Sequence, residues 1–282
     1  MDILKLNYEK VLELLPDRNP DSHKGDYGKI LLLCGSRGYT GAASLAAMGA
    51  LRAGAGLVYL GVPESIYPIE AVKLTEPIVF PLPEDDGMLS TDAMRPIMDL
   101  LPKMDVVLMG CGMGNSEGTL SVVRAVLQNY GGPVVLDADG INVLAGHIDI
   151  LRGRTGTTIL TPHAGEFVRL GGVITDDRIT SAKALALDTN SIVLLKGHNT
   201  VITDGSTCYL NTTGNPGMAV GGSGDVLAGI ITAFVGQGIK PLEAAAMGAW
   251  LHGAAGDRCA AEIGQYGMLP TDMLQVLPRL LK

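Results

Sequence analysis

The chain has 282 residues, 47% of them apolar and 18% charged, with a net charge of −8. That balance excludes a disordered chain, which combines low hydrophobicity with high charge, and it argues against nucleic acid as the main partner. The thirty-eight glycines follow no three-residue period, which excludes collagen, and no run of 18 apolar residues offers a membrane span.

In chain order, residues 1–25 predict an N-terminal helix and arm ended by Pro16 and Pro20. Their charges, among them Lys5, Glu9, Lys10 and Glu13, do not suit the apolar core of a signal peptide. Strands are expected at Ile30–Cys34, Gly56–Val62, Ile78–Phe80, Val106–Gly110, Pro133–Asp137, Thr158–Leu160 and Ile192–Lys196. These are continuous apolar runs without in–out alternation, as in strands covered on both faces of a parallel sheet. Helices are expected between them at Gly41–Ala53, Thr91–Leu101, Glu117–Tyr130, Glu166–Leu170 and Thr175–Thr189. Val201–Thr203 and Thr207–Asn211 flank Asp204-Gly205, the signal of a hairpin, here at the sheet edge. Two helices rich in small residues follow, Asp225–Val235 and Leu242–Ala261. No linker or repeat divides the chain, so one domain over 1–282 is expected: α/β, a mostly parallel central sheet with helices on both faces. Cys34, Cys111, Cys208 and Cys259 have no metal-binding spacing and read as free thiols of a reducing, cytoplasmic compartment.

The chemistry-bearing clusters sit just after the strands, on the sheet edge where α/β proteins bind ligands. Neither GxxxxGK[ST] nor GxGxxG occurs, which disfavours a P-loop NTPase or an ordinary dinucleotide-binding dehydrogenase. Gly221-Gly222-Ser223-Gly224-Asp225 instead runs straight into an apolar helix. Such a turn presents main-chain N–H groups at the positive end of a helix, an anion site. Asp225 there could take a proton from a substrate hydroxyl, or could simply cap the helix. His163 and Glu166 could face a ligand or form a capping pair. Lys196-Gly197-His198-Asn199-Thr200 suits phosphates or a ribose, or is a charged hairpin loop. Asp137 and Asp139 could hold Mg²⁺ through water, or Asp139 could cap the next helix. Gly110, Gly112 and Gly114 let a ligand approach the main chain. Cys34-Gly35-Ser36-Arg37-Gly38 opens one more glycine-rich loop.

The order of GSRGYTGAASLAAMGALRAGAGLV, MGCGMG, LDADGIN, TPHAGEF, LLKGHNTVITDG and NPGMAVGGSGDVLAGI resembles the NAD(P)H-hydrate dehydratase family, whose wider relatives are ribokinase-like small-molecule kinases. The resemblance runs from about Lys24 to the C-terminal helices. It implies a ribokinase-like fold and repair of hydrated NADH and NADPH. ADP or ATP, with Mg²⁺, would phosphorylate the C6 hydroxyl of the damaged ring, and phosphate would then leave. ADP is the expected donor. Carried over, Asp225 is the base, and the backbone of Gly222-Ser223-Gly224 holds the transferring phosphoryl group. Lys196, Gly197, His198, Asn199, Thr200, Asn215, Pro216, Gly217, Met218, Ala219, Val220, Gly221, Gly222, Ser223 and Gly224 surround the nucleotide. Ala42, Gly112, Gly114, His163 and Asp225 meet the substrate, and Asp137, Asp139 and Glu166 are candidate metal ligands. The resemblance also implies a homo-oligomer, a tetramer being favoured. Residues 1–25 are too few for an epimerase domain, so a separate protein is expected to interconvert the two hydrate epimers.

His163-Ala164-Gly165-Glu166 stands where ribokinase-like kinases usually carry Asn-x-x-Glu, which weakens a plain kinase reading. Gly140 replaces the family's more usual Ala. The runner-up is a ribokinase-like kinase of a vitamin precursor or sugar alcohol. A non-catalytic nucleotide-binding module is the third reading, and Asp225 beside the glycines stands against it.

Overall fold

The computed structural model describes residues 3–281; residues 1, 2 and 282, at the ends of the expected domain, lie outside the described residues. The strands are β1 (Ile3–Leu4), β2 (Lys29–Leu33), β3 (Leu57–Pro63), β4 (Ile78–Leu82), β5 (Glu84–Asp85), β6 (Met88–Leu89), β7 (Val106–Met109), β8 (Val134–Leu136), β9 (Thr158–Leu160), β10 (Ile192–Leu195), β11 (Thr200–Thr203) and β12 (Cys208–Asn211). The helices are α1 (Tyr8–Leu14), α2 (Thr40–Arg52), α3 (Tyr67–Lys73), α4 (Met94–Leu100), α5 (Glu117–Asn129), α6 (Asp139–Asn142), α7 (Asp149–Arg152), α8 (Ala164–Arg169), α9 (Arg178–Thr189), α10 (Ser223–Gly236), α11 (Pro241–Glu262) and α12 (Pro270–Leu280).

Ten strands form one sheet in the order β1-β12-β11-β10-β9-β8-β7-β2-β3-β4. All its pairings are parallel except β10–β11 and β11–β12. The expected hairpin is present, but it is not the edge. β1 pairs in parallel with β12 and takes the outer position, so part of the expected N-terminal arm is a strand. Two residues were too short for a periodic signal.

Apolar runs serve both faces, because alternate residues enter different cores. Ile30 and Leu32 of β2 pack with α2, α10 and α11. Leu31 and Leu33 pack on the opposite face with α4, α5 and α9. The chain winds outward from β2 to β3 and β4, then restarts at β7 on the other side of β2. That reversal opens a crevice at the carboxyl ends of β2 and β7.

Helix α10 fixes what faces the crevice. A Cβ on Gly28, just before β2, would lie 2.5 Å from the carbonyl oxygen of Gly236. The last turn of α10 therefore sits at the amino ends of the strands, and its first turn points at their carboxyl ends. The helix crosses α2 with main chains almost touching: a Cβ on Gly229 would lie 2.1 Å from Ala46 O, and one on Gly49 2.6 Å from Val226 O. Gly229→Ala should therefore destabilise by about 2 kcal/mol, although alanine favours an isolated helix by about 1 kcal/mol. Thermal unfolding checks this; a melting temperature equal to that of the parent would contradict the close crossing.

Candidate active site

Side chains from four strand ends meet under the first turn of α10. Lys196, after β10, donates from Nζ to Oδ1 of Asp137, after β8, at 2.7 Å, and lies 3.8 Å from Oε2 of Glu166. Thr161, after β9, donates its hydroxyl to the same Oδ1 at 2.7 Å. Asp137 is only 2% exposed, and a buried carboxylate persists only with such partners. Burial works against the Lys196 charge, but Asp137 and Glu166 outweigh it and hold the ammonium above its ordinary pKa.

Asp225 is the third residue of α10. Gly222 is the N-cap, at φ +99°, and no side chain caps the helix, so Asp225 is not the cap. One donor atom each from Cys111, Asp137 and Asp225 lie within 4.8 Å of one another. Burial, and then the Asp137 charge, push the Asp225 carboxyl up to about 6, against a hydrogen bond from Cys111 and the Lys196 charge. The helix dipole, expected to lower this value, is overridden. Cys111 is held well above the ordinary thiol value by its hydrogen bond with Cys34 and by burial, so it remains a thiol, not the nucleophilic thiolate.

The glycines keep the ground above the ion pair clear. A Cβ on Gly224 would stand 3.3 Å from Lys196 Nζ and 3.6 Å from Asp137 Oδ2, and one on Gly221 would meet nothing within 4 Å. Ser223 is tied into the turn. Its N–H donates to Val220 O at 3.3 Å and its hydroxyl to Met218 O at 2.7 Å. Ser223 closes the turn, and its amide is already spent. Among the described residues the free first-turn donors are the N–H groups of Gly224 and Asp225, as the missing upstream carbonyls at a helix start dictate.

The other expected nucleotide residues form two loops. Gly197-His198-Asn199-Thr200 is a tight turn, with Thr200 Oγ1 donating to Gly197 O at 2.9 Å and Asn199 at φ +56°. His198 is exposed. In the second loop, Asn215 Oδ1 accepts from Gly217 N at 3.0 Å, and Pro216–Met218 make a short 3-10 turn that leads through exposed Ala219 and Val220 to Gly221. Asp257 of α11 braces this loop, accepting from Gly214 N at 2.9 Å and Asn215 Nδ2 at 3.0 Å. The sequence reading missed Asp257, which lies more than forty positions away and carries no local signal.

Two of the expected substrate residues, Ala42 and Gly112, touch. A Cβ on Gly112 would be 2.8 Å from the Ala42 side chain, and Gly114 N donates to Asp139 Oδ2 at 2.9 Å. His163 and Glu166 form the capping pair: His163 Nδ1 accepts from Gly165 N at 2.9 Å, and Glu166 Oε2 accepts from His163 N at 2.8 Å. The candidate metal ligands Asp137, Asp139 and Glu166 do not converge. Each is already engaged: Asp137 by Lys196 and Thr161, Asp139 by Gly114 and Asn142, and Glu166 by His163. The trio that does converge contains a thiol, which suits softer metals than Mg²⁺.

Hollows of about 640 Å³ beside Tyr130 and about 530 Å³ beside Arg18 lie at the opposite end of the sheet, before the amino ends of β7, β8 and β3. They hold none of this chemistry.

The family model of NAD(P)H-hydrate dehydratase matches residues 30–279. A bifunctional NAD(P)H-hydrate repair enzyme of Moorella thermoacetica is 46% identical over 275 residues, 95% of this chain and 52% of that protein. The chain thus spans about half the length of the curated relatives it matches. Among solved structures, the ADP/ATP-dependent NAD(P)H-hydrate dehydratase of Bacillus subtilis, co-crystallized with ATP/Mg²⁺, is 33% identical with a TM-score of 0.85, covering 99% of this chain and 98% of that one. A ribokinase-like superfamily protein of Enterococcus faecalis is 27% identical with a TM-score of 0.87, covering 99% and 95%.

Proposed function

The chain belongs to the NAD(P)H-hydrate dehydratase family, and from that premise we propose that residues 1–282 carry a nucleotide-dependent lyase that returns (6S)-hydrated NADH and NADPH to NAD(P)H. ADP is the preferred donor and becomes AMP. The observation that carries the reading is the uncapped, part-buried Asp225 beside a turn kept free of side chains over the Lys196–Asp137 pair.

Asp225 takes the proton from the C6 hydroxyl as that oxygen bonds to the terminal phosphorus of the nucleotide. The bond from that phosphorus to the bridging oxygen breaks, and its electron pair stays on the departing nucleotide. The N–H groups of Gly224 and Asp225 and the Lys196 ammonium stabilise the charge on the migrating group. The ring nitrogen's lone pair then expels phosphate, and loss of a proton from the adjacent carbon restores the double bond. Lys196 to Thr200 and Asn215 to Gly224 hold the nucleotide, Ser223 as the closure of the turn. Ala42, Gly112, Gly114 and His163 meet the hydrated dinucleotide.

Mg²⁺ shields the phosphate charge when bound. Asp137, Asp139 and Glu166 offer hard oxygens but do not converge on one point, and each already accepts a protein hydrogen bond, so any of them would reach the ion only through water. Four buried free cysteines support a cytoplasmic setting. A homo-oligomer, with a tetramer favoured, is proposed from the resemblance alone, as is an epimerase activity lying outside these residues.

Supplying hydrated NADPH with ADP or ATP and Mg²⁺ tests the reading. The reduced-nicotinamide absorbance should return with release of free phosphate. A stable phosphate ester without that absorbance would make the chain a small-molecule kinase instead.

A further inference from the structure

The corner between two of the site aspartates runs against the preference of the residue that forms it. Asp137 O accepts from Gly140 N at 2.9 Å, and Ala138, at φ +45° and ψ −114°, is the first corner of that turn. These are the angles of a type II′ turn, whose first corner is normally glycine. Four non-glycine residues among the described residues have positive φ. Asp86, Asn190 and Asn199 are of the kinds that tolerate it; Ala138 is not. Alanine held there stores backbone strain, which glycine would relieve. Packing does not offset the strain. Ala138 is only half-buried and belongs to none of the apolar cores. The fold gains nothing from the methyl, which points to a ligand.

Its place identifies the part of the ligand. Ala138 follows the carboxyl end of β8. On one side Asp137 is tied to Lys196 and Thr161 under the cradle. On the other, Asp139 accepts the N–H of Gly114. Both carboxylates are thus engaged with their neighbours, and the methyl stands between the phosphoryl cradle and the Gly114 loop. The ring that carries the reacting hydroxyl spans that interval, and its saturated edge beside C6 is apolar. We propose that Ala138 is a substrate contact that sets specificity: its methyl packs against the saturated edge of the hydrated nicotinamide ring and holds the C6 hydroxyl toward Asp225. The proposal rests on the dehydratase reading. It accounts for a strained corner at the centre of the site, where a glycine would fold more easily but leave the ring without a floor.

Ala138→Gly tests it without endangering the fold. The variant should melt about 2–4 °C higher than the parent. Its kcat/KM for hydrated NADPH should nevertheless fall about fourfold, the worth of one buried methyl, while KM for ADP holds. Ala138→Ser, which keeps the Cβ, should recover most of that loss. A more stable Ala138→Gly with unchanged kcat/KM overturns the proposal, because the methyl then does nothing for the ligand. A melting temperature that stays level or drops removes its premise, the strained corner. An equal loss toward hydrate and ADP, or no recovery in Ala138→Ser, also overturns it, since either marks a loosened turn rather than a lost contact. If the unaltered chain restores no NAD(P)H from the hydrate with either nucleotide, the dehydratase reading falls first and this proposal falls with it. If the unaltered chain is active, the comparison of variants alone decides the role of Ala138.

Discussion

Asp225→Asn should lower turnover by about a thousandfold, within the range a positioned general base contributes, and leave nucleotide affinity nearly unchanged. The amide keeps the shape and the first-turn N–H groups but cannot accept the proton. The same substitution should stabilise the fold. The Asp225 carboxyl titrates at about 6 in the folded chain against 3.8 for an ordinary aspartate. A raised folded value means that its contribution to stability is intact below 3.8 and is lost as pH rises through 6. Two units correspond to roughly 3 kcal/mol, so Asp225→Asn should melt higher than the parent at pH 8 and equally at pH 3.5. The parent's kcat/KM should rise with unit slope through about pH 6. Full turnover by the variant removes Asp225 as the base. Equal melting at pH 8 would mean that the carboxylate is not desolvated as described.

Lys196→Met should destabilise by about 3–5 kcal/mol, the cost of leaving a buried charge without its partner. Among the described residues Asp137 keeps the Thr161 hydroxyl and the distant Cys111 thiol, and Glu166 loses the ammonium 3.8 Å away. The deficit should shrink in acid, where a proton can replace the ammonium. Lys196→Arg should not restore turnover, because a planar fork cannot fill the role of a compact ammonium under Gly224. Chemical denaturation at several pH values checks the stability claim. A deficit independent of pH would show that the pair is not what Lys196 supports.

Much of this was legible in the chain. The doubly buried strands announced themselves because Ile30–Leu33 and Val106–Met109 are apolar at every position, and glycine-rich turns after them marked the binding edge. Helix α12 was given no bounds of its own: Pro270 opens it but Pro278 interrupts its pattern. Helix α3 was too short to show a period. The site was read as separate loops; which of them touch could not be read. That Lys196 pairs with Asp137 across 59 positions follows from strand order, and that Cys111 sits beside Asp225 and Asp257 braces Asn215 follows from how α10 and α11 are seated. The edge place expected for the hairpin went to β1, and Ser223, expected in the cradle, donates its N–H to Val220 O because Gly222 bends left-handed.

The touching main chains of α2 and α10 have a bearing on motion. A helix seated this tightly in the middle of one core exposes its amides to solvent exchange only when the whole molecule opens. The Asp225 carboxylate, proposed as the base, thus rides on a helix locked against α2, whereas His198 and Pro216 to Val220 sit on solvent-facing loops. Breathing at the mouth can admit and release a nucleotide without the proton acceptor ever leaving its post.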